Sequence, residues 1–172
     1  MGALAGLSRA IDRMNAGVGR VTRVLTLLMV LVTTYDVIMR YVFRSSFVFV
    51  QELEWHLFAI LFLMAAGYAH LKNDHVRVDI FYARMPKKSQ ALVDVIGSLL
   101  FLFPSCFLII YTSMPFIQAS VAVLEGSPDP GGLPGRFLLK MAIPLGFSLL
   151  ALQGFSELVK NVATLRGEEI RG

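Results

Sequence analysis

Four charged residues stand where apolar stretches of the chain begin or end: Asp36, Arg40, Glu52 and Glu54. Asp36 and Arg40 are four residues apart, so on a helix they would share one face. Arg40 could pair with Asp36 or with one of the glutamates that follow. Carboxylates around a guanidinium suit two kinds of chemistry, a relay for protons or cations and a structural ion-pair cluster.

The three histidines suggest a haem or metal site, but their spacing argues against one. His56 and His70 would lie about 21 Å apart along a single helix, which is too far to hold one haem between them. No second helical segment offers a facing histidine, and cysteines at metal-ligand spacing are absent. The one cysteine, Cys106, is expected to be a small buried apolar side chain. We therefore expect no cofactor, no metal site and no catalytic constellation.

The elements that must position these residues are four long apolar stretches. The chain has 172 residues, of which 56% are hydrophobic and only 16% charged, and a mean hydropathy of +0.66. A bilayer-spanning helix needs about 20 mostly apolar residues, and four segments meet that need at about 21–43, 48–71, 91–117 and 137–159. The sequence predicts one all-α integral membrane domain over residues 1–172, with four transmembrane helices.

A membrane setting favours one of the two interpretations of the charged residues. A charge in hydrocarbon costs about 2.5–3.5 kcal/mol, so Asp36 and Arg40 should face protein. A coupling path normally needs carboxylates along the depth of the membrane, and the third and fourth apolar stretches have none near their centres. The structural role is favoured, either fixing a hairpin or docking a partner helix. Trp55 sits where an interfacial aromatic belt would be.

The distribution of Lys and Arg predicts the orientation. Twelve of the sixteen lie before the first span, between the second and third spans, or after the fourth, and four lie in or beside the other two joints. Both termini should therefore face the cytoplasm of a bacterial cell, and the 118–136 loop should face the periplasm. The basic character of the chain is explained by orientation and anionic lipid, so a nucleic-acid partner is not expected.

Two further segments are expected at the membrane surface. Apolar residues recur at helical spacing in residues 3–19, which predicts an amphipathic helix lying on the inner surface. Residues 72–90 are expected to form an interfacial segment that anchors the inner side through Arg77, Arg84, Lys87 and Lys88. A solvated loop is the alternative for that segment.

The periplasmic loop is rich in proline and glycine, which excludes regular structure there. It lacks the Gly-Lys-Ser/Thr ending of a phosphate-binding loop. We expect a defined turn at the outer surface, and its Asp129 and Arg136 are candidate contacts for a partner protein.

Several motifs, in this order and spacing, resemble the small membrane subunit of tripartite ATP-independent periplasmic (TRAP) transporters, the DctQ-like family. They are MRYVF (Met39–Phe43), QELEWHLFAILFLMAAGYAH (Gln51–His70), HVRVDIFYARMP (His75–Pro86), SPDPGGLPGRFLLK (Ser127–Lys140) and IPLGFSLLALQG (Ile143–Gly154). The Glu-Leu-Glu-Trp-His run and the Asp-Pro-Gly-Gly-Leu-Pro loop look most similar to the subgroup for mannitol, chloroaromatic and keto-acid uptake.

The resemblance implies a division of labour. A soluble periplasmic protein captures an organic acid, and a large elevator-type membrane subunit carries the substrate and sodium sites. The small subunit, which is no enzyme, stabilises the large one. Two alternatives remain: a membrane-anchor subunit of a respiratory enzyme, and a small self-sufficient exporter that acts as a dimer.

Overall fold

The fold was analysed in a computed structural model, which describes residues 2–73 and 82–167 of the chain. All regular structure within these residues is helical, as the sequence predicts. The helices are α1 (Gly2–Tyr41), α2 (Val48–Lys72), α3 (Lys87–Gly97), α4 (Phe103–Ala122) and α5 (Arg136–Leu165). A π-helical turn, Ser98–Leu102, joins α3 to α4 so that the two run on as one rod.

Four helical segments of the described chain are long and apolar enough to cross a bilayer: Leu4–Tyr41, Val48–Lys72, Lys87–Ala122 and Arg136–Leu165. Their surfaces carry many large apolar side chains, with Phe62, Phe101 and Phe107 each about 70% exposed. Such exposure would be unfavourable in water, and it is the normal state of a surface that faces lipid. The chain is a multi-pass membrane protein.

The last helix, α5, is the centre of the packing. It contacts α1, α2, α3 and α4, whereas α1 packs mainly against α2 and α5, and α4 packs mainly against α5. Both loops between helices that the structure describes, 42–47 and 123–135, lie at one end of the bundle, here called the loop end. The first turns of α1 and the last turns of α5 meet at the opposite end, here called the terminal end.

Two glycines on α5 allow neighbouring elements to approach closely. A Cβ at Gly146 would lie 2.6 Å from the Leu63 carbonyl oxygen of α2, and one at Gly154 would lie 2.6 Å from the Leu102 side chain. Small residues at such crossings let helix backbones meet, which is a main source of packing energy inside a membrane.

One prediction about the elements is wrong in its boundary. Residues 3–19 are helical, but they do not form a separate helix, because α1 continues without a break from Gly2 to Tyr41. One face of this segment packs against α5, where Ser8, Ile11 and Asn15 are buried, while Leu7 and Met14 are exposed. The remaining helices also extend past the predicted spans, by several residues at each end of the third. The predicted interfacial segment 72–90 falls largely outside the described residues.

The crossing at Gly146 gives a stability prediction. Gly146→Ala should lower the thermal unfolding midpoint in detergent, because the new methyl group meets the α2 backbone and not a side chain that can move. Overpacking of this kind typically costs about 1–3 kcal/mol. The matched control is Gly97→Ala, at a helical glycine with no atom within 4 Å of the new Cβ. There the midpoint should hold or rise, and equal behaviour of the two variants would contradict the proposed contact.

Candidate functional site

Glu52 organises the loop end of the bundle. It lies in the first turns of α2 and is only 6% exposed. Its carboxylate accepts a hydrogen bond from the Ser127 hydroxyl and another from the Leu133 backbone N–H, each 2.5 Å long. Both donors belong to the 123–135 loop. One buried charge therefore attaches this long connection to the start of α2.

The loop itself is a tight turn closed by its own backbone. The Ser127 N–H donates to the Leu133 carbonyl, and the Gly132 N–H donates to the Asp129 carbonyl, both at 3.0 Å. A Cβ at Gly132 would lie 2.3 Å from the Ser127 hydroxyl and 2.7 Å from a Glu52 carboxylate oxygen, so only glycine fits there. Asp129 stands exposed at the tip. The glycines and prolines thus form a defined turn, as the sequence predicts.

Trp55 and Arg136 meet beside Glu52. The Arg136 guanidinium carbon lies 5.2 Å from the centre of the Trp55 ring, within the range of a cation–π interaction. The centre of the His56 ring lies 3.9 Å from the centre of the Trp55 ring. The structure therefore brings together three sequence candidates, Glu52, Trp55 and Arg136, with Asp129 at the tip of the same loop. We call Glu52, Ser127, Leu133, Trp55 and Arg136 the Glu52 cluster.

Asp36, Arg40 and Glu54 form a second group at the loop end. Asp36 is 3% exposed and forms an ion pair with Arg40, one of the pairings that the sequence allows. The Arg40 side chain remains 48% exposed. One carboxylate oxygen of Glu54 is buried without a hydrogen-bond partner, and this carboxylate feels the charges of both Asp36 and Arg40. The group carries two acids and one exposed base.

Glu125 holds the other side of the loop. Its carboxylate accepts hydrogen bonds from Lys140 of α5 and from the Ser120 hydroxyl of α4, the latter at 2.6 Å. The hydrogen bond from Lys140 lowers the pKa of the Glu125 carboxyl below its ordinary value. The Lys140 ammonium also lies 3.9 Å from the centre of the Phe116 ring. The loop is therefore fastened to α2 through Glu52 and to α5 through Glu125.

A polar network that the sequence analysis missed joins α1 to α5 at the terminal end. Asp12 is its centre: its carboxylate accepts hydrogen bonds from Ser156 at 2.7 Å and Gln153 at 2.9 Å, and it forms an ion pair with Lys160 at 2.8 Å. The hydroxyls of Ser8 and Ser156 share a hydrogen bond of 2.7 Å. Including Asn15, which donates to Gln153 at 2.9 Å, we call these six residues the terminal network.

A signal for the terminal network is present in the sequence. Ser8, Asp12 and Asn15 follow spacings of four and three, and Gln153, Ser156 and Lys160 follow spacings of three and four. Each set occupies one helix face. The apolar residues beside them favour an interpretation in which this segment faces lipid. In the structure, however, the polar residues form the face of α1 that packs against α5.

Asn15 also explains a small residue on α2. Its side-chain oxygen would lie 2.4 Å from a Cβ at Gly67, and the Leu149 carbonyl would lie 3.1 Å from that atom. Gly67 thus sits where α1, α2 and α5 converge. It belongs to the stretch of small residues that follows Leu63 in α2.

The predicted surface-anchor residues fall around the start of α3. Arg84, Lys87 and Lys88 are exposed at the terminal end, whereas Arg77 lies outside the described residues. A cavity of about 840 Å³ opens nearby between α2, α3 and α5, lined by apolar and polar side chains that include Phe101, Leu150 and Asn161.

The remaining candidates for cofactor chemistry lie apart from one another. His56 is at the loop end, where its Nδ1 lies 2.6 Å from the Glu52 carbonyl oxygen. His70 lies about four turns away, near the opposite end of α2. Cys106 is buried in α4, as predicted. Within residues 2–73 and 82–167, no group of three His, Cys, Asp or Glu side chains is placed to hold a metal ion.

Comparisons with known proteins agree with the architecture. The family model described as "Tripartite ATP-independent periplasmic transporters, DctQ component" matches residues 29–164. A protein of Haemophilus influenzae, whose name describes it as a TRAP transporter small permease protein, is 32% identical over 105 residues. That alignment covers 59% of this chain and 65% of the relative, so the chain spans less than two thirds of the relative's length.

The Glu52 cluster gives a prediction about the loop. Glu52→Gln should speed amide hydrogen exchange at Leu133 by roughly ten- to a hundredfold, since hydrogen bonds to a charged group contribute about 1.5–3 kcal/mol. Asp129→Asn is the matched control, because it removes a carboxylate from the exposed tip of the same loop. Unchanged exchange at Leu133 in the Glu52 variant would show that the loop is held by other contacts.

The terminal network gives a prediction about α1. Asp12→Ala should raise amide exchange in residues 8–16 and lower the unfolding midpoint, because it leaves Lys160 without its partner on α1 and removes the acceptor of Ser156 and Gln153. Glu157→Ala removes the other carboxylate that pairs with Lys160, but that pair lies within α5. Its effect on α1 should be small. If both variants loosen α1 equally, the attachment does not depend on Asp12.

Proposed function

Because the chain belongs to the DctQ family of TRAP transporter components, we propose that it is the small membrane subunit of a sodium-coupled importer of organic acids. In this proposal a soluble periplasmic protein captures the substrate, and a large elevator-type membrane subunit moves it. The present chain stabilises the large subunit. The family is a transporter component and not an enzyme.

The observation that carries the proposal is how the buried and partly buried charges are used. Glu52 and Glu125 hold a loop, and Asp12 and Lys160 hold α1 against α5. Each of these charges joins helices or loops of this chain, either at the loop end or at the terminal end of the bundle. The Leu63–Gly146 crossing between them is a close backbone contact of α2 with α5. This arrangement suits a rigid frame better than a carrier with a binding site at mid-depth.

Two surfaces at the loop end are proposed as partner contacts. The turn bearing Asp129 is held rigidly to α2 and is exposed at its tip, which supports a contact with the capture protein. The Asp36–Arg40 pair lies on α1 with half of the arginine exposed. A charged pair on a lipid-facing helix is unfavourable, which supports a contact of this group with the large subunit.

The proposed location is the bacterial inner membrane, with both termini in the cytoplasm and the loop end in the periplasm. The unequal distribution of Lys and Arg supports this orientation. Arg84, Lys87 and Lys88, together with Arg77, are proposed to anchor the terminal end at the inner surface. The substrate class rests on the family resemblance of the Glu52–His56 run and the 127–136 loop.

The test of the function is reconstitution with and without companions. Vesicles that contain this chain, the large membrane subunit encoded in the same cell and the capture protein should accumulate an organic acid when a sodium gradient is applied. Vesicles that lack this chain should lose most of that uptake, and vesicles that hold this chain alone should show none. Uptake by the isolated chain would refute the scaffold role.

The same system tests Arg40. Arg40→Ala should reduce recovery of the large subunit on the tagged chain, and reduce uptake in parallel, because it leaves the buried Asp36 without its ion pair. Arg44→Ala is the matched control, as an exposed arginine one turn farther along in the connection to α2. Normal recovery and uptake with Arg40→Ala would remove this pair from the partner contact.

A further inference from the structure

Helix α1 is much longer than a bilayer requires. Its 40 residues span about 60 Å along the axis at 1.5 Å per residue, whereas the hydrocarbon layer is about 30 Å thick and the whole bilayer about 40–45 Å. Measured from Tyr41, Arg23 and Arg20 lie about 27 and 31 Å along the helix, and Arg13 and Arg9 about 42 and 48 Å. With Tyr41 at the outer boundary of the hydrocarbon, Arg23 and Arg20 lie at its inner boundary, where long side chains can reach the headgroups, and Arg13 and Arg9 lie beyond it.

The four arginines form one stripe. At 100° per residue, Arg9, Arg13, Arg20 and Arg23 fall within an arc of about 80°. All four are exposed. Among the described residues, their side chains hydrogen-bond to backbone carbonyls of α1, from Arg9 to Ala5 and from Arg23 to Gly19.

The orientation of this stripe is fixed by the other faces of the helix. The terminal network holds one face against α5, with Ser8 and Asn15 fully buried. Leu7, Met14 and Val21 lie exposed on a third face, roughly opposite the arginines. An apolar face and an arginine face on one helix at the membrane boundary are the features of a segment that binds a lipid surface.

The arginines have no acidic partner in the described chain. The one carboxylate within this part of α1, Asp12, is engaged by Lys160 on the packed face. Among residues 2–73 and 82–167, no carboxylate lies within ion-pair distance of Arg9, Arg13, Arg20 or Arg23. Four cations in a row at the membrane boundary, with no carboxylate partner among the described residues, suit an anionic counterpart such as a lipid phosphate.

We propose that the arginine stripe of α1 binds the phosphates of anionic phospholipids in the leaflet at the terminal end. A planar guanidinium binds phosphate through two parallel hydrogen bonds, which suits arginine better than lysine. The bound headgroups set the depth and tilt of α1. The terminal network passes that position on to α5 and so to the bundle. This role does not depend on the proposed transport function.

The test uses the full chain with one tryptophan placed beside the stripe. The chain has a single tryptophan, so Trp55→Phe with Gly17→Trp gives one reporter. A Cβ at Gly17 meets nothing nearer than the Arg20 guanidinium, at 4.0 Å. In phosphatidylcholine vesicles containing brominated phosphatidylglycerol or brominated phosphatidylcholine, the anionic lipid should quench this reporter several-fold more strongly. Changing all four arginines to glutamine should bring the two values together, because each cation near the surface contributes attraction to anionic lipid.

Two further variants separate the stripe from the general charge of the protein. Arg84, Lys87, Lys88 and Arg166 are four exposed cations at the same end, and their replacement by glutamine should leave the preference at Gly17→Trp nearly intact. Replacement of the four stripe arginines by lysine should keep part of the preference for the anionic lipid. Equal quenching by both lipids with the arginines present would overturn the proposal. So would a control variant that loses as much of the preference for the anionic lipid as the variant without the four arginines. Absence of quenching by either lipid would mean that this face contacts protein or water, and would also overturn it.

Discussion

A polar group within a bilayer must find its partner inside the protein, and this constraint governs where the helices of this chain meet. Backbone groups are satisfied by helix formation, but a buried carboxylate or amide side chain needs a donor or acceptor from a neighbouring element. Asp12 and Glu52 each have more than one such partner. Asp12 lies at the terminal end of the bundle and Glu52 at the loop end. The two ends are therefore held by directional contacts, whereas the apolar surfaces in between can only pack.

The same constraint accounts for the central position of α5. Gln153, Ser156 and Lys160 of this helix bind α1, and Lys140 binds the loop through Glu125. Its glycines face α2 and the π-helical turn, where a side chain would collide with atoms of the neighbour. In lipid there is little hydrophobic drive between helices, so close packing and polar contacts decide the arrangement. The helix that offers both becomes the common neighbour of the others.

Hydropathy alone predicts the helical class and the approximate spans, because the requirement for about 20 apolar residues is strong and local. Helical spacing allows the Asp36–Arg40 pair, which is one of the pairings that the sequence leaves open for Arg40. The attachment of Ser127 and Leu133 to Glu52 joins positions 75 and 81 residues apart, and no local pattern specifies such a pairing. The terminal network was missed for a different reason: its spacing is visible, but spacing shows that residues share a face and not what that face contacts.

The continuity of α1 changes how the N-terminal segment must be understood. A separate surface helix could adjust to the lipid independently, whereas a helix that runs unbroken into the span transmits its position. Ser8, Asp12 and Asn15 lie before residue 29, where the match to the family model begins, yet their partners Gln153 and Ser156 lie within the matched range. The terminal network therefore couples a segment outside the family match to a helix inside it. In the proposed role, a frame for a larger partner needs a defined position in the membrane as well as internal stiffness. Because α5 contacts every other helix of the described chain, a constraint applied at Asp12 reaches the whole bundle through a single element.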